Sequence, residues 1–136
     1  MTLVNLQAEA GKPKWFSVPI NYQDLQTFEP QGAARIATLP KRCAIRAAIY
    51  ESIEAFGGAG VSYEAIIITD DLLNTIINTL TLDTGGSVFL TVTSPVSFSA
   101  DRIIYANPSI SGQFASMDRG SGVLHLLVEA IPSYPS

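Results

Sequence analysis

Chemistry in a protein chain needs nucleophiles, bases or metal ligands that can be brought together, and such residues are sparse here. The chain has one histidine, His125, and one cysteine, Cys43. His125 lies in the run Val123-Leu124-His125-Leu126-Leu127-Val128, flanked by large apolar groups. A Ser-His-Asp arrangement around it can be built only by pairing distant residues at will, so it reads as a strand residue whose ring is satisfied locally. As a metal ligand it would need two or three partners, and the chain offers neither a second histidine nor a cysteine pair. Cys43 sits among Ala44, Ile45 and Ala47 and reads as a buried, inert thiol. Arg42 and Arg46 are the features that favour a reactive thiolate instead. A single cysteine excludes an intrachain disulfide.

The acidic doublet Asp70-Asp71 could offer oxygen ligands to calcium if Asn74, Asp83 or Asp101 came near, or cap a helix that follows it. No spacing picks out two carboxyls poised for glycoside hydrolysis. Gly57-Gly58-Ala59-Gly60 and Gly120-Ser121-Gly122 lack the Lys-Ser/Thr of a phosphate-binding loop and precede strands, so both read as turns. Trp15, Tyr22, Tyr50, Tyr63, Tyr105 and Tyr134 could stack on a sugar, but they are scattered over six segments. The residues therefore predict no catalytic, cofactor or metal site, no cofactor and no enzyme activity.

With 136 residues the chain is long enough for one domain with a core of its own. Hydrophobic residues make up 47% and charged residues 15%, a low charge density that points to surface covered by a partner, unless the plentiful Ser and Thr supply the exterior. Eight basic residues against twelve acidic ones give a net charge of −4. Clustered cations are confined to Lys41, Arg42 and Arg46, too few to track a phosphate backbone, so nucleic acid is not an expected partner. The apolar runs are far below the roughly 20 residues that span a bilayer, and residues 1–16 lack the basic start and apolar core of a signal peptide. The expected protein is soluble, made in the cytoplasm, with no membrane contact.

Period-two alternation runs through much of the chain. In residues 43–56 it sets Cys43, Ile45, Ala47, Ile49, Ile53 and Ala55 on one face and Arg46, Tyr50, Ser52 and Glu54 on the other. Helical spacing of Ile45, Ile49, Ile53 and Phe56, with Gly57 as C-cap, is the rival reading. Residues 61–69, rich in β-branched side chains, form a second strand, and the glycine tetrad between the two suggests a hairpin. Trp15 to Ile20 reads as an edge strand, because Pro19 cannot donate to a ladder, and residues 33–39 as another short strand. Leu72, Leu73, Ile76, Ile77 and Leu80 mark one helical face, predicting a short helix after Asp70. Beyond Gly86, strands are expected at 87–93, 96–100, 102–106, 113–117 and 123–131, with turns at Ser94-Pro95, Asn107-Pro108, Ser111-Gly112 and 118–122. About eight strands at this length predict an all-β chain with a single β-sandwich or jelly-roll-like domain and one short helix. Residues 1–14 read as an N-terminal arm, 15–132 as the sandwich and 133–136 as a C-terminal tail. In the arm Leu3, Val4 and Leu6 are apolar enough to dock on a foreign surface, and with Trp15 and Tyr134 they are the expected partner-binding residues. The arm is expected to be dispensable for folding.

Several short runs occur in an order that resembles small all-β virion proteins of tailed bacteriophages, in particular capsid decoration or cement proteins. They are Val18-Pro19-Ile20, Thr38-Leu39-Pro40-Lys41, Glu54-Ala55-Phe56-Gly57-Gly58, Ser97-Phe98-Ser99-Ala100-Asp101 and Val128-Glu129-Ala130-Ile131-Pro132. Together they extend over most of residues 15–132. Arg42 departs from the small residue expected after Leu-Pro-Lys. The resemblance implies a homotrimer on the outer capsid surface of a virion, with the major capsid protein as partner, stabilising the head. It carries over no functional residues. Another virion part, such as a head fibre base or tail component, is the nearest alternative, and a lectin-like carbohydrate-binding module is the alternative of a different class.

Overall fold

In the computed structural model, which describes residues 4–9, 11–26, 34–60, 64–70, 75–81, 86–90, 92, 100–110 and 116–130, the alternating runs become strands. Nine are present among the described residues: β1 (Val4–Asn5), β2 (Lys14–Asn21), β3 (Ala34–Leu39), β4 (Cys43–Gly58), β5 (Glu64–Asp70), β6 (Thr75–Thr81), β7 (Gly86–Leu90), β8 (Arg102–Ile110) and β9 (Met117–Ala130), with one helix, α1 (Tyr22–Gln26), after β2. They form a five-stranded sheet in the order β1-β3-β8-β5-β6 and a four-stranded sheet in the order β2-β9-β4-β7. The antiparallel pairs are nested: β2 with β9, β3 with β8, β4 with β7, β5 with β6. The chain thus resembles one long hairpin, its tip between β5 and β6, rolled so that successive pairs fall alternately in the two sheets. This is the all-β domain of two sheets that the strand pattern predicts.

The rolled hairpin corrects several local expectations. The long central strand β4 does not pair with β5. It pairs with β9 and β7, while β5 lies in the other sheet beside β8 and β6. The turn at Ala59-Gly60 hands the chain from one sheet to the other, with Gly60 at φ 78°. The helix expected after Asp70 is strand β6, in which Ile76 and Ile77 are buried; Leu72 and Leu73 lie outside the described residues. The β-branched Thr and Ile content and the ladder to β5 outweigh a helical spacing that short apolar runs also satisfy. Asn107-Pro108 continues β8, and residues 118–122 continue β9, where turns were expected. Residues 96–99 of the expected strand 96–100, most of 113–117 and the expected turns at Ser94-Pro95 and Ser111-Gly112 lie outside the described residues, and Ala100 is a bend. The helix that does form, α1, follows a reciprocal cap. The Asn21 amide donates to Asp24 Oδ2 at 2.9 Å and the Asp24 amide to Asn21 Oδ1 at 3.0 Å. Pro19 sits, as expected, on the sheet-edge strand β2.

The long strand β4 begins at Cys43, directly after Arg42, which takes the left-handed φ of 63°. Its register shifts between Ile45 and Ala47. That bulge inserts one residue and inverts the pleat, so Cys43 and Ile45 face the core, but from there Ala48 and Tyr50 do so. The expected inward face of Ile49 and Ile53 is therefore corrected: Ile49 is only partly buried and Ile53 is 67% exposed. Inward residues of both sheets, among them Val18, Ile36, Ile45, Ile66, Ile104, Leu124 and Leu126, form one continuous core. Leu6 and Ala8 belong to it too, held by the parallel ladder of β1 with β3 and by the Leu6 amide donating to the Thr38 carbonyl at 2.9 Å. The first regular element is thus upstream of Trp15, and the segment read as a detachable arm supplies core side chains.

Two rings of β4 determine the glycines of β9. Tyr50 covers Gly122 and Phe56 covers Gly120 so closely that neither position has room for a Cβ, which is why a Gly-Ser-Gly run continues as strand. Burial pushes the Tyr50 phenol up to about 12, with Ser52 pulling slightly the other way. Among the described residues neither hydroxyl has a well-formed hydrogen bond. The folded state therefore holds the phenolic proton more tightly than the unfolded chain. This contribution is intact below pH 10 and disappears as pH rises from about 10 to about 12. In urea titrations across that range Tyr50→Phe should lack this part of the alkaline loss, and at pH 7 it should be within about 1 kcal/mol of the parent, since no satisfied hydrogen bond is removed. A Tyr50→Phe variant with the same alkaline loss would refute the assignment.

Candidate functional site

The outward side of the β2-β9-β4 layer is where polar chemistry converges. Register sets Ser17 of β2 opposite His125 of β9, and His125 opposite Ile49 of β4, two residues before Glu51. His125 Nε2 lies 3.3 Å from Glu51 Oε1, and His125 Nδ1 lies 3.0 Å from Ser17 Oγ. The carboxylate can only accept, so Nε2 carries a proton to it, and in the neutral ring the Ser17 hydroxyl donates to Nδ1. Three strands thus assemble a serine, histidine and glutamate that distance along the chain concealed.

The order of contacts is that of a nucleophile, base and orienting acid, but the setting is different. Ser17 stands mid-strand with its backbone in register with β9. A catalytic serine of this kind is raised on a sharp turn, with backbone amides aimed at a developing oxyanion. The ladder is suited to locking three strands in register on an exposed face. A fluorophosphonate probe should leave the intact mass of the protein unchanged. Covalent labelling of Ser17 that is lost in His125→Ala would contradict this.

The other candidates do not assemble into a site. Cys43 is buried and free, with the Gln7 side-chain amide 4.0 Å from its sulfur. Asp70 ends β5, and Asp71 lies outside the described residues. Among the described residues no group of three or more His, Cys, Asp or Glu side chains could hold a metal ion, and no helix is long and apolar enough to cross a membrane. An open cleft of about 420 Å³ is lined by Gln7, Glu9, Lys12, Pro13 and Lys14, with Lys12 and Glu9 paired at 3.3 Å.

Of the residues expected to meet a partner, Trp15 is 45% exposed on β2 and Val4 of β1 is partly buried against the core. Leu6 is completely buried, so it positions its segment rather than offering surface. Leu3 and Tyr134 lie outside the described residues. Sequence reading missed Ile53 and Glu51 on the same outward side as Trp15, because the bulge that turns them outward leaves no signature in an unbroken alternation.

The outward side of this layer therefore carries an exposed tryptophan and a polar interstrand ladder. The chain superposes on a chain of the capsid of Ralstonia phage GP4 with a TM-score of 0.63, 14% identity and 97% and 93% of the two chains covered. The fold is one found in phage capsids. A chain of the capsid asymmetric unit of cyanophage Pam1 matches with a TM-score of 0.63, 14% identity and coverage of 92% and 89%. A chain of the acidic stable capsid structure of Helicobacter pylori bacteriophage KHP30 matches with a TM-score of 0.60, 12% identity and 89% of each chain covered. No family model and no curated protein sequence matches the chain.

Proposed function

We propose that this protein is a structural component of a phage virion that binds the outer capsid surface as a decoration or cement protein and stabilises the head. The observation that carries the reading is agreement of fold over nearly the whole chain with chains of three phage capsids. The chain's own chemistry supports it. The residues that come together form an interstrand ladder in place of a reaction centre, and two large apolar side chains, Trp15 and Ile53, stand exposed. The protein is a homotrimer, with the major capsid protein beneath it as partner. A cyclic assembly multiplies weak contacts without any single tight site. Leu3, Val4, Trp15 and Tyr134 make the contacts, and Leu6, locked in the core, fixes the segment that presents Val4. After synthesis in the host cytoplasm the protein resides on the virion.

Deleting residues 1–14 would strip Leu6 and Ala8 from the core, so a point substitution tests the grip more cleanly. Light scattering should give about three times the 14.5 kDa chain mass. Trp15→Ser should keep that mass while weakening co-sedimentation with heads assembled without the protein by about tenfold, a loss typical of a central aromatic contact. A monomer, or undiminished binding by Trp15→Ser, would count against the reading.

A further inference from the structure

The outward face of the β2-β9-β4 layer is apolar in its rows and carries two carboxylates, Glu51 and Glu54, whose contacts are with His125 and the Gly120 amide. Trp15, Leu127 and Ala47 stand in one register row, and Pro19 and Val123 lead to Glu51 in another. Trp15 and Ile53 are the exposed large apolar side chains among the described residues. The cations nearby are engaged. Arg46 pairs with Glu129 at 3.3 Å, Arg119 with Asp118 at 2.9 Å and Lys12 with Glu9, and Lys14 Nζ lies 5.0 Å from the centre of the Phe16 ring. Glu51, whose side chain is half exposed beside His125, and Glu54, which accepts the Gly120 amide at 3.0 Å, have no Lys or Arg in those contacts.

We propose that this face docks a segment of another protein in which apolar and basic side chains alternate. Lysine or arginine side chains reach Glu51 and Glu54, while apolar ones lie along Trp15, Leu127 and Ile53. A second copy offering the same face would set carboxylate against carboxylate on a chain that already carries −4, and like charges brought together in an interface are penalised. Three strands of about eight residues span roughly 400 Å², below the roughly 800 Å² per partner of a self-sufficient interface. One such contact is weak and gains strength by repetition. The inference deepens the virion reading and rests on it only for which protein supplies the segment.

Trp15 is the chain's single tryptophan, so its emission reports on this face. The probes are two synthetic strand-forming peptides, one alternating valine with lysine and one alternating valine with glutamate. The lysine peptide should blue-shift Trp15 emission saturably and the glutamate peptide should not. The combined Glu51→Gln and Glu54→Gln variant should bind the lysine peptide about tenfold more weakly, and Ile53→Ser, at a largely exposed position, should lose a similar factor with unchanged circular dichroism. Equal responses to both peptides, no response to the lysine peptide, or unaltered binding by the variants would overturn the proposal. A blue shift that grows with protein concentration alone would also overturn it, by assigning the face to a second copy. The titration needs no particle. Failure here with intact binding to heads removes this partner chemistry and leaves decoration standing, and the reverse result removes decoration alone.

Discussion

Replacing Gly120 with alanine is expected to destabilise the protein by about 3 kcal/mol or more, combining backbone strain with overpacking. Gly120 has a φ of 133°, a conformation that L side chains rarely adopt. A Cβ there would also overlap the Phe56 ring and come within 2.7 Å of its Cα, so a side-chain rotation cannot make room. The strain falls on β9, which joins β2 to β4 in the middle of the four-stranded sheet. The neighbouring Ser121→Ala, at a partly exposed position, should change stability by no more than about 0.5 kcal/mol. Urea midpoints of the two variants against the parent would decide, and a Gly120→Ala variant as stable as Ser121→Ala would contradict the close approach of β4 and β9.

The second large effect separates the two faces of the long strand. Ile45→Ala should cost about 2 to 5 kcal/mol as a large-to-small change in the core, whereas Ile49→Ala should cost about 1 kcal/mol or less. The difference follows from the bulge between Ile45 and Ala47, which keeps Ile45 inside and turns Ile49 toward the outward face. Equal and large losses at both positions would restore the unbroken alternation and remove the outward apolar face with it.

What the sequence discloses depends on how local the deciding interaction is. Pro19 marks an edge strand by its own missing donor, and the alternation in 43–56 identifies a strand without knowledge of its neighbours. Pairing is not local. The partners of β4 are β7 and β9, far along the chain, and the glycines after Phe56 look the same in a hairpin as in a crossover between sheets. The segment 75–81 misleads for the opposite reason. Its apolar spacing satisfies a helix, and only the ladder to β5 makes the β-branched residues decisive. Asn21 and Asp24 did carry a legible signal, a polar cap three residues before an acid. The Ser17, His125 and Glu51 ladder could not be read at all, since its members adjoin only through the register of three strands and through a one-residue bulge in one of them.

The proposed decoration of the outside of a phage head can be seen or refuted by cryo-electron microscopy of the virion, compared with particles lacking the gene for this chain. Density matching the two-sheet sandwich should cover the outer capsid surface at repeated sites, be arranged in threes, and be absent from the deleted particles. Identical capsid surfaces in the two particles, or matching density confined to the tail, would contradict it.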